Sequence, residues 1–312
     1  MSKQSELATN NQKFIPVIDL QAFRSGDRSQ RQAVVDRVYQ ACHEIGFLYI
    51  KNPGISTNLI QQLFLHSQQF FNLSSEAKAR IAWLDETHNS GYVGIERERL
   101  DPSLPGDLKE ALNLNLNSLT QNLEFSAEFC NCVLDFWKAC VQVTDTVLQS
   151  FALALQLPED FFIANHHEQA HTLRLLHYPP LQQPPKRGQV RAGEHSDYGS
   201  ITLLFQDDIG GLEIQTKDGV WIAASAIPET IIINTGDLMQ RWTNHVFCST
   251  KHRVAIPLDE RVRRSRYSIA FFCHPNDDTE VTCLPGCCTD RVAIYPSISA
   301  KDYLISRLQA TY

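Results

Sequence analysis

Leu173-Arg-Leu-Leu-His-Tyr178, Ile201-Thr-Leu-Leu-Phe205, Ile231-Ile-Ile-Asn234 and Tyr267-Ser-Ile-Ala-Phe-Phe272 are short, β-rich runs bounded by turn residues. Further runs of the same kind fall at Gln189–Ala192, Leu212–Gln215, Val220–Ile222 and Arg253–Ile256. Many short strands at this spacing predict a closed barrel or sandwich of the jelly-roll type rather than a parallel sheet. Upstream the texture is helical. Ser29–Ile45 carries an apolar stripe at Val34, Val35, Val38 and Ala41/Cys42, with Ser29 and Gln32 placed as a capping box. Helices are also expected over about Asn58–Phe71 and Ser126–Leu155, with a strand at Phe47–Ile50 and a mobile loop over Asn89–Asn113. The expected organisation is a disordered tail over residues 1–13 and a mainly helical region over 14–165. A jelly-roll core over 166–299 and a C-terminal helix over 300–312 complete it. The fold class is α+β.

The chain has 312 residues, a formal charge of −7, 43% hydrophobic residues and 20% charged residues. That balance supports a globular core and argues against disorder. It supplies no positive field for nucleic acid or an anionic membrane. No stretch approaches the roughly 18–20 apolar residues of a bilayer span, so a soluble, cytoplasmic protein is expected. Nine scattered cysteines without a CxxC pair suggest neither a zinc finger nor a disulfide framework.

Two metal motifs compete. His167-Glu-Gln-Ala-His171 has the spacing of a zinc hydrolase helix, but Thr172-Leu-Arg-Leu-Leu176 turns at once into strand-like sequence, so a polar loop or helix end fits better. His195-Ser-Asp197 gains weight from two later segments: His252 opens another strand, and Arg266-Tyr-Ser268 lies on a third. Residues two apart on a strand point the same way, so His195 and Asp197 could share a metal with His252. Two imidazoles and one carboxylate on one face of an octahedron suit iron(II) and leave open positions. Arg266 and Ser268 would face inward together as a charged fork and a hydroxyl for a carboxylate.

With Ile15-Pro-Val-Ile-Asp19, Gly46-Phe-Leu-Tyr-Ile50, Gly210-Gly-Leu-Glu213 and Arg241-Trp-Thr-Asn244 in the same order, the chain resembles the iron(II)/2-oxoglutarate-dependent dioxygenases of the isopenicillin N synthase-like family. The resemblance runs from Ile15 to Pro275. It implies a double-stranded β-helix core, with His195, Asp197 and His252 as catalytic iron ligands. It also implies that Arg266 and Ser268 bind the far carboxylate of 2-oxoglutarate and that Tyr178 lines the same pocket. Two positions before that tyrosine many plant members carry an asparagine; here it is Leu176.

The expected reaction is oxidation of a small molecule by O2 with 2-oxoglutarate as cosubstrate and ascorbate as an optional reductant, yielding succinate and CO2. With Asp197 filling the carboxylate position, hydroxylation, desaturation or ring formation is favoured over halogenation. The rivals are an oxidase of the same fold that uses no 2-oxoglutarate, a zinc hydrolase built on His167 and His171, and a binding protein without turnover. A monomer is expected. His177, His245 and the basic run Arg261–Arg264 read as structural or solvated, and Phe272 as inward-facing. The substrate pocket is expected between Asn89–Asn113, strands near Phe205 and Phe272, and the C-terminal helix.

Overall fold

The computed structural model describes residues 15–83, 85–99, 103–121, 125–288 and 292–311, so the tail expected over 1–13 lies outside the described residues. Its strands are β1 (Val17–Asp19), β2 (Phe47–Lys51), β3 (Gly91–Val93), β4 (Glu110–Leu114), β5 (Thr172–Tyr178), β6 (Ala192–His195) and β7 (Ile201–Gln206). They continue as β8 (Leu212–Gln215), β9 (Trp221–Ala223), β10 (Thr230–Thr235), β11 (His252–Val254), β12 (Arg266–Cys273), β13 (Glu280–Val281) and β14 (Ile298–Ser299). The helices are α1 (Gln21–Ser25), α2 (Arg28–Glu44), α3 (Thr57–Phe71), α4 (Ser75–Ala79), α5 (Leu116–Gln121), α6 (Ala127–Ala154), α7 (Phe161–Ala164), α8 (Asp237–Trp242) and α9 (Ala300–Thr311).

Two sheets face each other. The larger has eight strands in the order β1-β2-β10-β7-β12-β5-β4-β3, and the smaller has β6-β11-β8-β9. Alternation along each strand of the larger sheet divides its side chains between two cores. Leu48, Leu203, Phe205, Ile233, Ile269 and Phe271 turn outward and pack with Phe136, Trp137 and Phe151 of α6. Their neighbours Phe47, Tyr49, Ile232 and Ala270 turn inward, toward Leu212, Ile214 and Val254 of the smaller sheet. This sandwich is the jelly roll read from the strand spacing.

Four details depart from the sequence reading. The Asn89–Asn113 stretch is not simply a loop, because β3 and β4 extend the larger sheet, with Asn113 opposite both Gly91 and Arg174. The region before residue 165 therefore lends β1 to β4 to the core sheet rather than only packing on it. The capping box of α2 is formed by Asp27 and Gln30, not Ser29 and Gln32: Asp27 Oδ1 accepts from Gln30 N at 2.9 Å and Gln30 Oε1 from Asp27 N at 3.0 Å. Ser29 instead donates its hydroxyl to Asp27 at 2.8 Å. Finally, Cys283 and Cys288 are joined in a disulfide, since the short 3-10 turn Pro285–Cys287 folds the chain back between them.

One buried polar cluster pins α4 to the larger sheet. Glu110 accepts from Lys78 Nζ at 2.7 Å and from the Tyr92 hydroxyl at 2.6 Å, and its other oxygen lies 2.8 Å from His177 Nδ1. Burial alone would raise the Glu110 carboxyl, but His177, Lys78 and Tyr92 together hold it below its ordinary value. A depressed carboxylate contributes stability above its unfolded pKa and loses it as pH falls through the folded one. Glu110→Gln should therefore cost roughly 3–5 kcal/mol at neutral pH, by leaving Lys78 without its counter-charge. In urea titrations the gap from wild type should close as pH falls below about 4. A gap independent of pH would show that the ion pair is not its source.

Candidate metal centre

The space between the two sheets holds a cavity, and three candidate ligand side chains meet in it. His195 ends β6 and His252 begins β11; the two are register partners, with ring centroids 4.2 Å apart. Asp197 is not on the strand, as the two-residue spacing predicts, but in the turn after it. Its Oδ1 lies 3.9 Å from His195 Nε2 and 3.6 Å from His252 Nε2. This trio is the one convergent group of His, Cys, Asp and Glu ligands among the described residues, its donor atoms all within 4.8 Å of one another.

The surrounding hydrogen bonds choose which atom of each residue is available. His195 Nδ1 lies 2.7 Å from Gly193 O, and His252 Nδ1 lies 3.1 Å from Thr250 O. A carbonyl can only accept, so each Nδ1 carries a proton, and it is Nε2 that turns its lone pair to the centre in the neutral ring. Asp197 Oδ2 accepts from Thr202 Oγ1 at 2.6 Å and Asn234 Nδ2 at 2.7 Å, which leaves Oδ1 for the centre. Burial works to raise the Asp197 carboxyl, yet the two imidazoles and these two donors outweigh it and keep it below its ordinary value. Burial, reinforced by His252, pushes His195 down to about 3, so its ring is neutral at physiological pH. Two imidazoles presenting Nε2 and one ionised carboxylate suit a divalent iron, each with its second polar atom already engaged.

At the other end of the cavity Arg266, 1% exposed, starts β12. Its Nε donates to Gly210 O at 2.9 Å, Nη1 to Ser268 Oγ at 3.3 Å and Nη2 to Gln206 Oε1 at 3.1 Å. Tyr178 is its register partner on β5, and the guanidinium lies 4.7 Å from the centroid of that ring. The fork is thus held rigid at the closed end of the cavity. Leu176, opposite Ser268, lines the cavity and offers no polar contact there.

Phe272 lines the cavity, as its parity with Arg266 and Ser268 requires. Phe205 does not: it lies one residue off the inward set and packs edge-on against Phe136, so Leu204 takes the wall position. Leu304, Leu308 and Thr311 of α9 cover the mouth beside Tyr198, whose hydroxyl is 2.6 Å from Thr311 Oγ1. His177 is structural, held between Glu110 and Ser265, and His245 stacks on Tyr295. His167 and His171 do not form a hydrolase helix; His171 is buried against Trp137, while His167 is exposed and bonded to Asn276. Motif spacing does not single out Thr202, Asn234 or Gln206. For Thr202 and Asn234, inward parity within runs that read as strands is the signal that could find them; Gln206 falls one residue past its run.

Comparison with known proteins agrees with this geometry. Residues 159–275 match the model of the 2OG-Fe(II) oxygenase superfamily, and residues 15–131 match that of the non-haem dioxygenase N-terminal region named for morphine synthesis. A 2-oxoglutarate-dependent dioxygenase of Aspergillus rugulosus is 30% identical over 96% of this chain and 99% of its own length. A proline hydroxylase of Petromyces alliaceus is 32% identical over 95% of this chain and 98% of its own. Among solved structures, a full-length Neurospora crassa protein in complex with alpha-KG superposes with a TM-score of 0.87 at 33% identity, covering 95% of this chain and 96% of that one. The chain belongs to the 2OG-Fe(II) oxygenase superfamily. It is an iron- and 2-oxoglutarate-dependent oxidoreductase, with O2 as the oxidant.

The turn bearing Asp197 is locked from behind by Gly236. A Cβ there would lie 2.3 Å from Gly199 O and 2.9 Å from Asp197 O, and Asp237 N donates to Asp197 O at 2.7 Å. Gly236→Ala should therefore lower unfolding free energy by about 1–3 kcal/mol in urea melts. Unchanged stability would mean that this turn yields freely and does not fix the carboxylate.

Proposed function

We propose that His195, Asp197 and His252 bind the iron(II) of this oxygenase, while Arg266, Ser268 and Tyr178 hold the far carboxylate of 2-oxoglutarate. The observation that carries the reading is the partition of donors. Three ligand atoms with free lone pairs converge at one point, and every other polar atom of those side chains is engaged elsewhere. Bound iron(II), with 2-oxoglutarate and O2, supplies the oxidising power, the cosubstrate leaving as succinate and CO2.

The chain's own residues bind, orient and shield. Asn234 and Thr202 fix the carboxylate so that Oδ1 alone faces the centre. Gln206 and Gly210 hold the Arg266 fork in the plane that a carboxylate can meet with two parallel hydrogen bonds. Phe272 and the α9 side chains Leu304 and Leu308 keep bulk water from the reacting end. With Asp197 in place, insertion of oxygen, desaturation or ring closure is the proposed outcome rather than halogen transfer. All six residues come from one chain, so the proposed site needs no partner subunit to complete it. The relatives named for a thymine complex or for proline hydroxylation support a compact small-molecule substrate. None of the helices described is long and apolar enough to cross a membrane.

His252→Ala should lose stoichiometric iron and turnover together, because two ligands hold iron(II) weakly. Full iron content in that variant, measured by metal analysis after dialysis, would overturn the ligand assignment. Arg266→Lys keeps the charge but loses the planar fork. A charge-assisted hydrogen bond is worth roughly 1.5–3 kcal/mol, so affinity for 2-oxoglutarate should fall by about one to two orders of magnitude while iron is retained. A 2-oxoglutarate titration at saturating iron reads this directly; an unchanged midpoint would remove Arg266 from the cosubstrate site.

A further inference from the structure

Beyond the iron ligands the cavity floor continues onto β4 and β5, where Asn113, Thr172 and Arg174 line it together with Asn89. Their hydrogen bonds have a fixed direction. The Trp83 indole, which can only donate, reaches Asn89 Oδ1 at 3.4 Å, and Asn113 Nδ2 donates to the same oxygen at 3.0 Å. Asn89 Nδ2 then donates to Thr172 Oγ1 at 3.4 Å. The indole thereby sets the orientation of both amides. Asn113, 2% exposed, is left with Oδ1 buried and without a hydrogen-bond partner, an acceptor in want of a donor. Thr172, whose oxygen accepts from Asn89, has its hydroxyl proton to give.

The charges beside this row cancel. Lys109 pairs with Glu98 at 3.0 Å and with Asp107, and Arg174 pairs with Glu98. Among the described residues, two cations thus meet two carboxylates on this wall, a balance that gives an anion no advantage there. Phe272, beside Thr172 on the same sheet face, and Leu304 and Leu308 of α9 make the rest of this lining apolar.

We infer that this floor is the substrate-recognition site and that Asn113 is its specificity-determining residue. It selects a compact, uncharged substrate that presents an N–H donor beside a carbonyl acceptor, as a lactam or cyclic imide does. The N–H bonds to Asn113 Oδ1, the carbonyl accepts from the Thr172 hydroxyl, and the ring's apolar edge lies against Phe272 and the α9 leucines. A site with a buried acceptor rejects ligands that cannot fill it far better than an apolar pocket rejects a missing methylene. The inference rests on the iron and 2-oxoglutarate assignment above.

The test uses the full chain loaded with Zn(II) and 2-oxoglutarate, a pair that does not turn over, with ligand-observed NMR as the readout. The probes are 2-piperidone, glutarimide, their N-methyl counterparts, and cyclohexanecarboxylate as the anionic comparator. The two N–H rings should bind, and N-methylation should weaken them by about tenfold, the loss of one buried hydrogen bond. Asn113→Leu should reduce that discrimination to less than about twofold. The inference is overturned if the N–H rings do not bind, if N-methylation makes no difference, if the carboxylate binds in preference, or if Asn113→Leu discriminates as wild type does. Loss of Zn(II) or 2-oxoglutarate binding by the wild-type chain would instead strike the underlying assignment, and the same samples report it.

Discussion

The carboxylate of Asp197 is the hinge on which the site depends. The residue lies in a turn and has no strand of its own to fix it. Two donors from the middle of the larger sheet, Thr202 on β7 and Asn234 on β10, hold one oxygen and so aim the other. These strands are hydrogen-bonded neighbours, with Asn234 directly opposite Thr202. The geometry of an irregular element is thereby inherited from the middle of a regular one. A second tether, the Asp237 amide on the Asp197 carbonyl, ties the same turn to the start of α8. A carboxylate positioned this way would need little reorganisation to accept a metal ion.

The same sheet carries both ends of the reaction space. β12 runs from Arg266 at the closed end past Ser268 and Ala270 to Phe272, all facing inward. Its register with β5 places Tyr178 opposite Arg266 and Thr172 opposite Phe272. The proposed cosubstrate end and substrate end are therefore separated along one pair of rigid strands. The smaller sheet contributes the two imidazoles. The cavity is the gap between the sheets, so its width is governed by the packing of residues such as Phe47, Leu212 and Val254.

Much of this is legible in the sequence because strands impose parity. The spacing of Arg266 and Ser268 places both inward, and Phe272 goes with them. Of the three candidate ligands, His252 stands out because it opens a recognisable run, and His195 and Asp197 because they sit two apart shortly after another. Parity also accounts for Phe205, which is one residue off the inward set; only the register of β7 against β10 and β12 reveals it. The illegible part is long-range. β3 and β4 have few β-branched residues and lie in a stretch rich in charge, turning into strands only because β5 is there to pair with them. Asn113 and the Trp83–Asn89 relay cannot be assembled from spacing, since residues far apart in sequence meet there. The disulfide Cys283–Cys288 likewise depends on a local turn that composition does not disclose.

The alternation that splits the larger sheet has a consequence for how such a protein can change. On β12, Ile269, Phe271 and Cys273 are committed to the helical core, while Ser268, Ala270 and Phe272 border the reaction space. β5 divides similarly, with Leu173 and Leu175 on one side and Thr172, Arg174 and Leu176 on the other. Replacements on the outward set alter packing volume and are felt as stability. Replacements on the inward set meet open space and are felt as selectivity. Interleaved along each strand are thus two nearly independent alphabets, one spelling the fold and the other the chemistry. New substrate preferences can accumulate in the second while the first remains unread by selection for activity.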